Sequence, residues 1–232
     1  MCHPLFKIHT TMTIQEAILT RHSVRQYSNR PLTEEQAKIL RQQIAESNIA
    51  KNLHMQLVLN DTKALSGILS KFLRFSGATN YIAMVGSESY HLQEDLGYEG
   101  ERLVLLAQTL GLNTCWVGGT FSRNRNVQVD RNEMYVAVIA IGHGLTQGKQ
   151  HTSKPIETFA DIDGKPDWFR RGVECAMLAP TAMNRQNFHF TLQTDGAVKA
   201  TAKPAPFAGL DLGIAKLHFE LGAGKENFSW TQ

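Results

Sequence analysis

Three residues at alternate positions near the start of the sequence are suited to binding a phosphate group. Arg21, Ser23 and Arg25 are spaced two apart, so in an extended segment their side chains lie on one face. Two guanidinium groups offer forked donors to phosphate oxygens, and the serine hydroxyl adds a shorter donor. The same residues also suit a solvated basic loop, and their spacing taken alone favours that simpler interpretation.

Two further segments could contact a flat ring. Thr114 to Gly119 combines the aromatic side chain of Trp116 with two glycines, and glycine lets a backbone or a ring approach closely. Ala179 to Gln186 mixes small residues with side-chain amides that can hydrogen-bond the edge of a heterocycle. Taken alone, the first segment is better explained as a turn beside a core tryptophan. The second can also be a helix end followed by its capping turn.

No other motif indicates a reaction centre. Cys115 has no recognisable histidine and carboxylate partners, so we expect a buried and unreactive thiol. The sequence contains no G-x-G-x-x-G, P-loop or H-E-x-x-H pattern, and its three cysteines form no C-x-x-C pair. We therefore expect no metal site. The sparse, odd number of cysteines suits a reducing compartment, which favours the cytoplasm.

The composition is that of an ordinary globular protein. The 232 residues are 42% hydrophobic and 19% charged, with a formal net charge of +3. These values exclude a disordered chain, and so small a positive surplus gives no indication of nucleic-acid binding. No apolar run reaches the roughly 18 residues of a membrane span. Residues 1–11 lack an apolar core of signal-peptide length, and we expect a flexible extension before one domain over residues 12–232.

Hydrophobic periodicity and capping signals predict an α+β fold. Thr13 and Thr33 each begin a capping box, with Glu16 and Gln36 as their partners. Helices are predicted to follow these caps and to cover residues 91–110, 166–177 and 211–221. Strands are predicted over residues 55–60, 81–86, 114–117, 134–141 and 187–193, whereas two prolines predict a loop over residues 199–207.

A weak internal repeat links the two parts of the chain. Asp95-Leu96-Gly97 opens the long helix, Asp211-Leu212-Gly213 opens the last one, and both helices end in Leu-Gly. The helix, loop and strand over residues 39–59 also resemble those over residues 169–192. Taken alone, coincidence between two α/β segments and duplication of one unit explain these similarities equally well.

The order of the three chemical motifs resembles the FMN-dependent nitroreductase family. The motifs are Arg21–Arg25, Leu110–Gly119 and Ala179–Gln186, and the similarity extends from about Ile14 to Trp230. Members of this family are typically homodimers with FMN at the subunit interface, and their Ala-Pro-Ser segment precedes the long helix. Here the corresponding segment follows that helix. The sequence therefore resembles a single-chain branch, of the TM nitroreductase type, in which one chain imitates the dimer.

This resemblance implies an architecture as well as a cofactor. It implies a three-layer α/β/α fold with a mixed, mainly antiparallel central sheet. It also implies an internal duplication that imitates the family homodimer, with pseudo-symmetric halves over about residues 12–150 and 151–232. We therefore expect a monomer rather than a homodimer, with neither nucleic acid nor membrane as a partner.

The resemblance also implies which residues hold FMN. Arg21, Ser23 and Arg25 would bind the phosphate and ribityl chain, together with the backbone of His22. Val117 and Gly118 would lie along the flavin ring, near N5. The other half would contribute Pro180, Thr181 and Ala182 at the ring edge, supported by Asn184 and Gln186. Lys154 corresponds to a phosphate-directed basic residue, although Ser153 stands where the family commonly has arginine. Arg185 is a candidate donor to the reduced ring, and a surface role is equally consistent with its position.

The implied activity is an FMN-dependent reduction. In such enzymes FMN takes a hydride at N5 from NADH or NADPH, and a nitro compound, quinone or similar small-molecule acceptor then enters the same space. No side chain has to act as a nucleophile in this ping-pong cycle, so no catalytic residue is assigned. The first alternative is a flavin-binding protein of the same fold that stores, senses or degrades flavin. The second is a cofactor-free protein that kept the fold.

Overall fold

The computed structural model describes residues 12–65 and 75–231. Residues 1–11, for which an extension was expected, lie outside the described residues. The elements in chain order are α1 (Ile14–Thr20), α2 (Glu34–Lys51), β1 (Gln56–Val58), β2 (Tyr81–Ser87), α3 (Leu92–Thr109), β3 (Asn113–Val117), β4 (Glu133–Gly142), α4 (Asp167–Ala176), β5 (Phe188–Leu192), β6 (Val198–Ala202) and α5 (Ala208–Ala223). The prediction of an α+β fold is confirmed.

Both predicted capping boxes are present. The Thr13 hydroxyl accepts a hydrogen bond from the Glu16 amide, and the Glu16 carboxylate accepts one from the Thr13 amide. Thr33 and Gln36 repeat this exchange at the start of α2. Each exchange satisfies two backbone donors that a helix N-terminus leaves without partners, so each helix begins where the sequence predicts.

The central sheet has the strand order β1-β2-β4-β3, and all of its neighbouring strands are antiparallel. Isolated parallel bridges join Ser23 to Thr114 and Gln26 to Ser76, so the pairing is mixed but mainly antiparallel, as expected. The central strands are buried on both faces, with Ile82 and Ile139 in one core cluster and Ala83 and Val138 in another. This explains why β2 and β4 read as nearly continuous apolar runs.

The prediction of a loop over residues 199–207 was wrong in its first part. Strand β6 pairs antiparallel with β5, from Val198 opposite Leu192 to Ala202 opposite Phe188. Pro204 and Pro206, which suggested the loop, lie beyond the end of this strand. Lys199 and Thr201 are exposed, whereas Val198, Ala200 and Ala202 are more buried. The overlooked signal was therefore the alternation of a half-buried strand.

Two segments of the chain share the element order helix, strand, strand, helix. The first unit is α2-β1-β2-α3 and the second is α4-β5-β6-α5, and in each unit the two strands pair antiparallel. The last helices of the two units, α3 and α5, pack against each other. Within the described residues, no helix combines the length and the apolar character that crossing a membrane requires.

The crossing of α3 and α5 is reciprocal. A Cβ added at Gly97 would overlap the carbonyl of Leu210, and a Cβ added at Gly213 would overlap the carbonyl of Glu94. Leu210 and Glu94 each lie three residues before the glycine of their own helix. Each helix therefore presents the same pair of positions to the other, which is the contact pattern of a two-fold axis.

Candidate functional site

A cavity of about 1010 Å³ brings the three sequence motifs together. Its walls come from the segment after α1, the turn after β3, the loop after α4, the connection before α4 and the start of α5. The predicted residues that line it are Arg21, His22, Ser23, Arg25, Val117, Gly118, Pro180, Thr181, Ala182 and Asn184. Lys154 and Gln186 do not line it. One cavity therefore combines the segment after α1 and the turn after β3 with the loop after α4 and the start of α5.

The segment that follows α1 forms one end of the cavity. Val24 is fully buried and donates its amide to the Thr114 carbonyl at 3.0 Å, and Ser23 bridges to Thr114 in parallel. Pairing with β3 keeps the segment extended, so alternate side chains point in opposite directions. Arg21, Ser23 and Arg25 face the cavity while Val24 faces the core.

Arg21 is buried without an opposite charge. Its residue is only 5% exposed, and its side chain forms neither an ion pair nor a hydrogen bond with the described residues. The Nε atom is fully buried and unpartnered, as are Nδ1 of His22 and Nε2 of His151. Burying a charge without compensation is costly, so buried charges are normally paired. An anion that entered the cavity would supply the partner that Arg21 lacks.

A second part of the cavity wall is apolar. It is formed by Val117, Gly118, Pro180 and the ring of Phe207, which lies 2.6 Å from the position of a Cβ added at Gly118. Gly118 is four residues beyond Thr114, to which Ser23 is bridged. At about 3.3 Å per residue along a strand, the two ends are about 13 Å apart. The cavity therefore suits an elongated ligand with an anionic group at one end and a flat apolar group at the other.

Trp116 is held in the cavity wall by the buried pair of Glu101 and His218. Its indole Nε1 donates to Oε2 of Glu101 at 2.8 Å, and Oε1 of Glu101 lies 3.0 Å from Nε2 of His218. Glu101 and His218 are completely buried, and Nδ1 of His218 lies 3.3 Å from the Cys175 carbonyl. Because the two residues lie on α3 and α5, the pair links the two units directly behind the wall.

The loop after α4 is held in an unusual conformation. Met183, Asn184 and Gln186 all have left-handed backbone angles, with φ values of 55°, 53° and 51°. Such angles cost energy in residues other than glycine and persist only when the surroundings enforce them. The buried Gln186 provides much of that enforcement, because its amide donates to the Thr152 carbonyl and the Asn184 side chain and accepts from the Lys154 amide. Gln186 therefore shapes the loop from behind the cavity.

Lys154 was expected to face the phosphate, but the structure directs it elsewhere. Its Nζ donates to the carbonyl of Arg185, outside the cavity lining. Arg185 itself lines the cavity with an exposed side chain. Both basic residues therefore lie near the same loop, and only Arg185 faces the ligand space.

Further residues that line the cavity were not singled out from the sequence, among them Lys149, His151, Phe207 and Asp211. The buried Asp211 accepts a hydrogen bond from the Ala182 amide at 2.9 Å, which ties α5 to the loop. Burial raises the pKa of its carboxyl to about 6, against the lowering effects of that amide and of Arg185. Asp211 was noticed only as part of the repeat, since nothing in the sequence indicates which carboxylates will face a cavity.

Cys115 and one cluster of possible metal ligands lie outside the cavity lining. Burial raises the pKa of the Cys115 thiol, although Arg25, Ser23 and Arg21 act to lower it. That agrees with an unreactive cysteine, because the thiolate is the nucleophile.

Elsewhere, His54, Asp130 and Glu133 have potential ligand atoms within 4.8 Å of one another. Glu133 already accepts from the Asp130 amide at 2.8 Å and lies 2.9 Å from His54 Nδ1, so the cluster is satisfied internally.

The fold and the cavity define a protein of the nitroreductase class. Residues 13–223 match the model of the family described as "Putative TM nitroreductase", and the chain belongs to that family. It is similar to the crystal structure of a putative nitroreductase from Thermotoga maritima, with 26% identity and a TM-score of 0.68 over 97% of this chain and 90% of that one.

A second solved structure shares the fold at lower similarity. It is the NADPH:FMN oxidoreductase from Vibrio harveyi complexed with NAD+, which is 17% identical, with a TM-score of 0.51. The alignment covers 62% of this chain and 74% of that chain. Among curated proteins, none matches this sequence.

Proposed function

We propose that the protein is an FMN-dependent oxidoreductase. It takes a hydride from NADH or NADPH and passes reducing equivalents to a nitro compound, quinone or similar small molecule in a ping-pong cycle. The observation that carries this proposal is the buried, unpaired Arg21 at one end of a cavity whose other end is apolar. Membership of a nitroreductase family supports it, as does the fold shared with an NADPH:FMN oxidoreductase.

The residues of the cavity fit FMN at both ends. Arg21 and Arg25 would bind the phosphate oxygens, and the hydroxyl of Ser23 would donate to the phosphate or ribityl chain. The separation of about 13 Å between the Ser23 bridge and Gly118 leaves room for the ribityl chain. The flavin ring would lie between Val117 and Gly118 on one side and the residues 180–182 on the other.

The protein's contribution to the reaction is binding, orientation and exclusion of water. Bound FMN would supply the hydride-transfer chemistry, as flavins do in other enzymes. The Glu101–His218 pair fixes Trp116, and the left-handed loop with its Asp211 anchor fixes the residues at the opposite wall. Arg185 is the cavity residue suited to stabilise negative charge on a reduced ring.

The proposal includes one FMN per chain and a monomer that imitates a dimer. The phosphate end of the cavity comes from the segment after α1, and the loop with Pro180 to Ala182 comes only from the second unit. The reciprocal crossing of α3 and α5 supports the view that one unit stands where a partner subunit would. Light scattering and flavin absorbance would give one flavin and one chain per particle, whereas two flavins per chain or a shared site in a dimer would contradict this part.

The central test is FMN binding by wild-type protein and by Arg21→Ala. A hydrogen bond to a charged group contributes about 1.5–3 kcal/mol, so the variant should bind FMN roughly 10- to 100-fold more weakly. Its affinity for riboflavin, which lacks the phosphate, should be unchanged. Arg41→Ala, at an exposed position of α2, is the matched control and should bind FMN like wild type.

Turnover separates the proposed enzyme from a flavin carrier. The FMN-loaded protein should oxidise NADH or NADPH in the presence of quinones or nitroaromatic compounds. A yellow protein without turnover would instead indicate storage, sensing or degradation of flavin. A colourless protein that does not take up added FMN would overturn the proposal altogether.

A further inference from the structure

The connection between β4 and α4 packs directly over the expected phosphate end. A Cβ added at Gly148 would lie 2.8 Å from Cβ of His22 and 3.0 Å from the carbonyl oxygen of Ser23. His151, three residues further along, lines the same cavity. The connection therefore places an imidazole beside Arg21, whose charge acts on it.

The two ring nitrogens of His151 have different surroundings. Nε2 is fully buried and without a partner among the described residues, whereas the Met177 carbonyl acts on the ring so as to raise its pKa. We assign the hydrogen of the neutral ring to Nδ1, which leaves Nε2 as an unprotonated acceptor. Such a nitrogen can bind a phosphate oxygen only after it takes up a proton.

The surroundings keep this imidazole neutral while no anion is bound. Burial lowers the pKa of His151 most, and the charges of Arg21, His218 and His22 lower it further, while the interaction with Met177 raises it. Lys149 lies in the same connection and also lines the cavity. All of these neighbouring side chains are basic, so binding of a phosphate dianion would raise the pKa of the ring.

We propose that His151 takes the phosphate-binding role that was expected of Lys154, and that its ring takes up one proton from solution when the phosphate of FMN binds. The inference rests on the proposed FMN site and adds to it a residue and a coupled proton. The proton moves from solvent to Nε2, which then donates it in a hydrogen bond to a phosphate oxygen. The same proton returns to solvent when the phosphate leaves.

The coupling of FMN binding to proton uptake makes the affinity for FMN depend on pH in one direction. The pKa of His151 lies below its ordinary value in the free protein and rises when the dianion binds, so proton uptake occurs at pH values between the two. The affinity for FMN falls as the pH rises through the pKa of the complex. At pH 7.5 the phosphate is itself mostly a dianion, because its second pKa is about 6, so its own protonation contributes little.

Isothermal titration calorimetry in two buffers of different ionisation enthalpy measures the proton directly. Wild-type protein titrated with FMN at pH 7.5 should take up a substantial fraction of one proton, and titration with riboflavin should take up none. His151→Gln should lose this uptake and bind FMN about 10-fold more weakly. His151→Lys, which carries a permanent charge, should bind FMN with near wild-type affinity and without uptake. Circular dichroism checks that each variant is folded.

His143→Gln is the matched control. His143 begins the same connection and also has a buried, unpartnered Nε2, but it does not line the cavity. This variant should retain wild-type proton uptake. FMN binding with equal uptake in wild type and His151→Gln would overturn the role of His151 and leave the proposed function intact. Failure of wild-type protein to bind FMN would overturn both.

Discussion

The two helix-strand-strand-helix units of the chain share one plan and differ in what they contribute to the cavity. Ala208, Asp211 and Gly213 occupy the same relative positions in α5 as Leu92, Asp95 and Gly97 occupy in α3. The glycines of both helices meet reciprocally at the crossing. Outside this crossing the units diverge, so the common plan is preserved where the helices approach most closely.

The two equivalent aspartates show how the units diverge. Asp95 forms an ion pair with Lys51, the last residue of α2, at 2.9 Å, and both side chains are partly exposed. Asp211 is buried at the cavity, and its carboxylate accepts from the amide of Ala182 in the loop after α4. Asp95 ties α3 to the end of α2, and Asp211 ties α5 to the loop that follows α4. One tie lies at the surface, and the other positions a ligand-facing loop.

The loops after the first helices differ in length between the two units. Between α2 and β1 the chain needs only residues 52–55, whereas between α4 and β5 it uses residues 177–187 with three left-handed residues. Only the first unit continues into β3 and β4, which hold the phosphate-facing segment. If the proposed pseudo-dimer is correct, each unit has kept a different half of one site.

The largest effect is expected where the buried Glu101–His218 pair joins the units. Glu101→Ala would leave His218 and the indole of Trp116 without their buried acceptor, and each buried donor left unsatisfied costs about 1–3 kcal/mol. Urea denaturation of wild type and variant would measure this loss. Lys51→Ala breaks the Lys51–Asp95 ion pair within the first unit and should cost less than about 1 kcal/mol. Equal losses of unfolding free energy in the two variants would show that the contact between the units stabilises the fold no more than an ion pair within one unit.

Local features were predictable from sequence because their causes are local. The capping boxes at Thr13 and Thr33 and the apolar stripe of α3 depend on residues within a few positions of one another. The direction of Lys154 and the exposure of His151 to the cavity depend on how distant segments pack, so no pattern indicates them. Arg21 shows the intermediate case, since its alternation with Ser23 was visible but its burial without an ion pair was not.

The next largest effect is a pH-dependent change in stability that distinguishes Asp211 from Asp95. The pKa of Asp211 in the folded protein, about 6, exceeds its ordinary value of 3.8. The protonated carboxyl therefore stabilises the fold fully below about pH 3.8, and this stability is lost as the pH rises through 6. In FMN-free protein, wild type should lose roughly 2 kcal/mol relative to Asp211→Asn between pH 4 and 7. Asp95→Asn is the control, and urea denaturation across this range measures all three proteins.

A difference between wild type and Asp211→Asn that is independent of pH would contradict the assignment. A loss in Asp95→Asn of the same size would show that the two aspartates are equivalent in environment as well as in position.

The smallest effect tests the reciprocal crossing itself. A methyl group at Gly97 or Gly213 would meet a backbone carbonyl of the other helix, so each alanine variant should lose about 1–3 kcal/mol through overpacking. Since one separation of the helices would relieve both overlaps, the double variant should lose clearly less than the sum of the single losses. Gly209→Ala is the comparison in α5 and should lose less, because its Cβ would lie 3.0 Å from Cβ of Gln93 and would meet no backbone carbonyl. Additive losses at Gly97 and Gly213 would mean that the two contacts are independent, and the two-fold interpretation of the crossing would then fail.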